Sequence, residues 1–187
     1  MNSAAQDPYS TASTQTASSA DPKIRPAELD DLKAIIAIYD YAIAHTTATF
    51  DTEPRSEESQ RTWFNQHGEA YPLLVAQTED QIVGWAALSP WSDRCSYKTT
   101  AEVSIYIEKG HQGRGTGTRL MEALLKAGRQ AGLHSAVARI VEGNPASIHL
   151  HEKAGFRKGG VMQEAGYKFG CYLDVIIMEK LLDGSRK

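Results

Sequence analysis

A short strand followed by a glycine-rich turn and a helix constrains this chain more than any other segment. Val103, Ile105 and Ile107 alternate with Glu102, Ser104 and Tyr106, the two-residue period of a half-buried strand. Soon after comes HQGRGTGTRLMEALLKAGRQAG (111–132), a glycine-rich turn running into a helix with Leu120, Leu124 and Leu125 on one face and Gly132 at its end. Strand, turn and amphipathic helix in that order call for an α/β layer. Glycines let backbone N–H groups point outward, and at a helix start those unpaired donors and the helix dipole hold a phosphate. A pyrophosphate fits such a nest. An ordinary glycine-rich strand-to-helix turn has the same spacing, so the turn alone leaves both readings open.

The spacing does separate the phosphate binders. A P-loop requires Gly-x-x-x-x-Gly-Lys-Ser/Thr, but Gly110 and Gly115 are followed by Thr116, which disfavours ATP or GTP hydrolysis. The dinucleotide fingerprint Gly-x-Gly-x-x-Gly is not met by Gly113, Gly115 and Gly117, and no parallel strand precedes this one early in the chain.

The 187 residues suit one domain with a sizeable core. A net charge of −3 and scattered Lys and Arg disfavour nucleic-acid or anionic-membrane partners. Cys95 and Cys171 are too few for a disulfide framework and lack CxxC spacing, so a cytoplasmic setting is expected. Apolar runs fall far short of the roughly 20 residues of a membrane helix. Residues 1–22, rich in Ser, Thr and Ala, read as a disordered tail without signal-peptide or presequence features. The folded domain is expected over 23–182, with a short tail at 183–187.

Within it, Lys23 to Pro26 reads as a strand, and Leu32, Ile35, Ile36, Tyr39 and Ile43 mark a first helix behind Asp30 and Asp31. Ser56 is placed to cap a second helix with Glu57 and Glu58 in its first turn, Trp63 and Phe64 on its face, and Gly68 as its stop. Leu73 to Gln77 and Gln81 to Leu88 form a hairpin across Thr78, Glu79 and Asp80. Ala136 to Val141 follows as a strand. Asn144 as N-cap, Pro145 in the first turn and Gly155 as stop then define a last helix.

Gln112, Gly115 and Gly117 match Arg/Gln-x-x-Gly-x-Gly/Ala, the pyrophosphate motif of the GNAT superfamily of acetyl-CoA-dependent N-acetyltransferases, and the chain resembles a member. His151, within LHEKAGF where a Tyr is usual, resembles the phosphinothricin and methionine-sulfoximine acetyltransferase family. HTTATFDTEP (45–54), YPLLVA (71–76), PWSDR (90–94), the Glu102 strand, and AGYKFG (165–170) with Asp174 extend the similarity over roughly residues 23–182. The resemblance implies an α/β (α+β) fold whose mixed, mostly antiparallel sheet is splayed at the cofactor-binding strands and flanked by helices. It also implies a homodimer and acetyl-CoA as cosubstrate.

By the same resemblance, the backbone of Ile105, Tyr106 and Ile107 pairs with pantetheine, while Gln112, Gly113, Arg114, Gly115, Thr116, Gly117 and Thr118 hold the pyrophosphate. Asn144 and Lys153 join the cofactor site. Glu102 falls at the family's proposed general base, although an outward Glu on a strand is more often a solvated face. His151 is a positioning group, a proton relay with Glu102, an acid in place of the missing Tyr, or a satisfied helix histidine. Arg94, Cys95, Ser96 and Tyr97 lie in the loop where relatives bind the acidic end of the substrate, and Phe50 lies in a loop that closes over it. Arg94 could fork onto a carboxylate or phosphinate, or be an unliganded surface Arg. His149 and His151, at i and i+2, do not face each other, and no metal site is proposed. Transfer is expected to run directly to the α-amino group of a small amino-acid-like acceptor of the phosphinothricin, methionine sulfoximine or methionine sulfone type. Acetylation of a peptide N-terminus, a lysine or a polyamine, and a non-catalytic CoA-binding sensor, remain alternatives.

Overall fold

The computed structural model describes residues 21–79 and 81–183. The expected N-terminal tail, except Asp21 and Pro22, lies outside the described residues, as do Asp80 of the expected turn and residues 184–187.

Strand β1 (Lys23–Pro26) leads through a 3-10 turn (Leu29–Asp31) into α1 (Leu32–His45). Asp31 fixes that entry by accepting two bonds from Arg25, at 2.6 and 2.8 Å, and one from the Glu28 N–H. The Arg25 guanidinium accordingly holds the Asp31 carboxyl below its usual range. Helix α2 (Glu57–Asn65) is capped by Ser56, whose hydroxyl accepts from the Ser59 N–H. It stops three residues short of Gly68, because the Gln66 N–H is shared between the Thr62 and Trp63 carbonyls and tightens the last turn.

Strands β2 (Leu73–Gln77), β3 (Ile82–Pro90) and β4 (Thr100–Ile107) follow, then α3 (Thr116–Gln130), β5 (Ser135–Val141), α4 (Pro145–Lys153), β6 (Arg157–Lys168) and β7 (Cys171–Leu181). The sheet order is β1-β2-β3-β4-β5-β7-β6, and every pair is antiparallel except β4 with β5. The long hairpin β6–β7 has no counterpart in the sequence reading. Nearly every β6 residue is exposed, so no apolar alternation marks it. Its two-residue tip, Phe169 and Gly170, has positive φ at both positions, the geometry of a tight hairpin turn.

The two sheet faces bury different helices. Leu120, Leu124 and Leu125 of α3 pack with Leu88, Val103, Ala138 and Met178 on one face. Burial of each such leucine contributes about 1.5–3 kcal/mol. Ile35 and Ile38 of α1 pack with Leu73, Val75, Trp85 and Ala87 on the other. The parallel seam positions the site. β4 and β5 pair only at Thr100–Ser135, Ala101–Ala136 and Glu102–Val137, and beyond Glu102 they diverge into an open slot. The expected splayed, mostly antiparallel sheet is the fold observed.

Candidate active site

Each residue of β4 takes its place in the slot from the strand's alternation. Val103, Ile105 and Ile107 belong with the α3-side core, whereas the Tyr106 ring lies 5.1 Å from Tyr39 of α1 and 4.9 Å from Trp85. Glu102, Ser104 and Tyr106 therefore face α1 and α2. One edge of β4 is bonded to β3 along its length, while from Val103 onward β5 no longer pairs with the other edge. Ile105, Tyr106 and Ile107 thus present backbone toward the slot.

Beyond the wide end of the slot, Gly113 (φ 72°) and Gly115 (φ 82°) adopt left-handed backbone that L side chains rarely take. Gly115 is the N-cap of α3, and the helical ladder starts with the Arg119 N–H on the Gly115 carbonyl. The N–H groups of Thr116, Gly117 and Thr118 consequently have no partner within the helix. Arg114 is exposed beside them. The Gln112 side chain turns back and donates to the Ile107 carbonyl at 3.0 Å, closing the turn and leaving the nest to backbone groups. His111 pairs with Glu108 in the same turn. Asn144 caps α4 by accepting from the Ser147 N–H, and Gly117 of α3 packs near Leu150 of α4. Lys153 is exposed in the last turn, about 12 Å along the axis from the Asn144 end, so these two expected cofactor residues sit at opposite ends of α4.

Glu102 occupies the vertex of the slot. Both its carboxylate oxygens accept from Arg139, at 2.6 and 2.7 Å, and this bond raises the Arg139 pKa and keeps the guanidinium charged. His151 is 2% exposed and rests edge-on against Phe156. Its Nδ1 lies 2.8 Å from the Ser147 carbonyl, which can only accept, so Nδ1 carries the proton and Nε2 is the bare lone pair. Burial pushes the His151 pKa down, which keeps the ring neutral near pH 7. Nε2 has no hydrogen-bond partner among the described residues. Glu102 and His151 are not hydrogen-bonded to each other, so the structure shows no direct relay between them.

The expected acceptor residues divide between the two ends of the slot. Arg94, Cys95, Ser96 and Tyr97 are exposed on the β3–β4 connection, at the closed end beyond the Pro90–Ala101 pair. Arg94 is thus a surface guanidinium here rather than a buried clamp. Phe50 lies at the open end, its ring over Gly166 of β6. Between these ends, Ile35, Ile36, Tyr39, Asp40, Arg55, Gln60, Trp63, Trp85 and Ser104 line a pocket of about 80 Å³. Trp85 Nε1 is buried without a partner among the described residues. Sequence reasoning missed Tyr39, Trp85, Ser104 and Arg139 as site residues. Tyr39 and Trp85 carry the signature of core positions, and Arg139 meets Glu102 only through long-range strand pairing.

A slot opened between parallel strands, with a glycine nest on one side and a side-chain pocket on the other, defines a group-transfer site. The acetyltransferase (GNAT) family model matches residues 35–156, and the chain belongs to that family as an N-acetyltransferase. It is 38% identical over 165 residues to the L-methionine sulfoximine/L-methionine sulfone acetyltransferase of Pseudomonas paraeruginosa, covering 87% of this chain and 96% of that protein. It is also 38% identical to the phosphinothricin N-acetyltransferase of Streptomyces coelicolor, covering 87% and 98%. The Salmonella typhimurium yncA structure, solved with its cofactor acetyl-CoA, superimposes with a TM-score of 0.84 at 33% identity, covering 88% of this chain and 96% of that one.

Proposed function

We propose that this enzyme transfers acetyl from acetyl-CoA to the α-amino group of a small amino-acid-like acceptor of the methionine sulfoximine, methionine sulfone or phosphinothricin type. One observation carries the reading: β4 parts from β5 at Glu102, between an N–H nest on the α3 side and a pocket of aromatic and hydroxyl groups on the α1 side. Acetyl-CoA fits the first and a compact zwitterion the second. The named relatives at 38% identity support both assignments. In this reading the chain is cytoplasmic and works as a homodimer, and the exposed Val161, Met162, Tyr167 and Tyr172 of the β6–β7 hairpin offer a surface to the second copy.

The reaction needs a neutral amine. Its nitrogen attacks the thioester carbonyl carbon, the C–N bond forms, the C–S bond breaks, and the thiolate takes up a proton. The proton leaving nitrogen goes to Glu102 directly or through a water, with Arg139 orienting the carboxylate. His151 Nε2, neutral and buried, is a second acceptor that positions the amine or a water. Backbone donors of β4 offer stabilisation to the carbonyl oxygen as charge develops there. Gly113 to Thr118 hold the pyrophosphate, with Gln112 closing their turn and Asn144 and Lys153 flanking through α4. Phe50 bounds the acceptor at one end, and the Arg94, Cys95, Ser96 and Tyr97 loop meets its polar head at the other.

Thiol release with a panel of amines tests the assignment. kcat/KM for at least one of the three named compounds is expected to exceed that for norleucine or spermidine by on the order of 10-fold or more. Equal or better turnover of spermidine or of a peptide lysine overturns the acceptor and leaves the acetyltransferase standing.

A further inference from the structure

Residues 46–51 join the two halves of the sheet at the place where the strands themselves no longer do. Beyond Glu102, one half (β1 to β4) and the other (β5, β7, β6) have no mutual pairing. The α1–α2 connection bridges them. On the first half, the Tyr106 hydroxyl donates to the Ala48 carbonyl at 3.2 Å. On the second, Lys168 Nζ donates to the Thr49 carbonyl at 2.8 Å. The Phe50 ring lies so close over Gly166 that a Cβ there would come within 2.3 Å of its carbons. Tyr39 adds bonds to Thr49 Oγ1 at 2.7 Å and Asp51 Oδ2 at 2.9 Å, and Arg55 reaches Asp51 as well.

Lys168 is the unusual member of this set. It is 4% exposed, where lysines ordinarily send the ammonium to water. Its contacts are the Thr49 carbonyl, the Phe169 ring at 5.1 Å and the field of Asp51. A buried ammonium with one carbonyl acceptor is a poor stabiliser, since a methionine fills similar space without the desolvation cost. What the ammonium supplies and a methionine does not is a directed bond to one point of the connection, next to Phe50.

We infer that Lys168 is a positioning residue for the acceptor, holding residues 46–51 across the open end of the slot so that Phe50 stays at that end and Asp51 keeps its bonds to Tyr39 and Arg55, which line the α1-side pocket; this rests on the acceptor reading above. Lys168 acts through Thr49 and Phe50 rather than by touching the reacting atoms. None of these bonds involves the Gly113–Thr118 nest, so the pyrophosphate end of the cofactor site is separate from this contact.

Steady-state kinetics of Lys168→Met and Lys168→Arg, with melting temperatures, test the inference. The amine used is whichever one the wild-type enzyme acetylates best, so that a failed substrate assignment and a failed positioning role are read separately. Lys168→Met is expected to raise the acceptor KM about 10-fold while the acetyl-CoA KM stays within about twofold, and Lys168→Arg to recover part of the loss. Parallel rises in both KM values with a lowered melting temperature, or an unchanged acceptor KM in folded protein, overturn it. If Lys168→Met does not fold, Tyr106→Phe removes the hydroxyl that reaches Ala48 and Thr49 at the other end of the bridge. A selective rise in acceptor KM then supports the role, and none refutes it.

Discussion

The two sides of the β4 strand are built from different material. On the α3 side, the nest is backbone: positive φ at Gly113 and Gly115 and the free N–H groups that open α3, with the Gln112 side chain spent on closing the turn. On the α1 side, the site is side chain: Tyr39, Trp85, Ser104, Glu102 with Arg139, and the Phe50 bridge, drawn from five separate elements and loops. A backbone nest recognises what every CoA ester shares. A side-chain pocket can be rebuilt residue by residue without disturbing the nest. The contrast separates how the family keeps its chemistry from how a member selects its amine.

Glu102→Gln should produce the largest effect and fall on one side only. A positioned base is worth 10²- to 10⁴-fold, so kcat near neutral pH is expected to drop by about 10² or more while the acetyl-CoA KM stays unchanged. Activity within a few fold of wild type would make the Glu102–Arg139 pair a structural ion pair. Gly115→Val acts on the opposite side. A β-branched residue at φ 82° is strained and its methyls enter the nest, so the acetyl-CoA KM should rise on the order of 10-fold with the acceptor KM little changed. An unchanged acetyl-CoA KM in folded protein removes the nest assignment.

What is legible in the sequence follows the same division. Strand β4, the Gly113–Gly117 spacing and the Asn144–Pro145 helix start are local patterns, and all appear where the spacing puts them. The Arg139 bond to Glu102, the Lys168 bond to Thr49 and the Trp85 ring in the pocket depend on which strands are neighbours, and no local period encodes that. Hairpin β6–β7 escaped because β6 is exposed nearly throughout and its register breaks between Lys158 and Gly160 and between Met162 and Gly166, while β7 buries the adjacent pair Val175 and Ile176 instead of alternating. The positions of Phe50 and Arg94 are not local either: Arg94 follows the Pro90–Ala101 end of the β3–β4 pair, whereas Phe50 is held over Gly166 by the bonds at Ala48 and Thr49.

The smallest expected effect is a pH dependence at His151. Burial lowers its pKa below the ordinary 6.5, so the unfolded chain binds its proton more readily than the folded one. The stability this histidine contributes is therefore fully present above about pH 6.5 and is lost as pH falls toward the depressed folded value. In melting curves, the gap between wild type and His151→Gln should narrow from pH 7.5 to 5.5. A gap that widens on acidification would mean that His151 is charged in the folded protein.

A crystal structure with CoA and methionine sulfone bound together tests the two-sided slot most directly. The account predicts the pantetheine along the free edge of β4 from Val103 to Ile107 and the pyrophosphate on the N–H groups of Gly113 to Thr118. It places the acceptor amine on the opposite side, near Glu102, with Ser104 and Phe50 around the side chain. An acceptor lodged on the α3 side of the sheet, or a pyrophosphate held away from the Gly113–Thr118 turn, would contradict it.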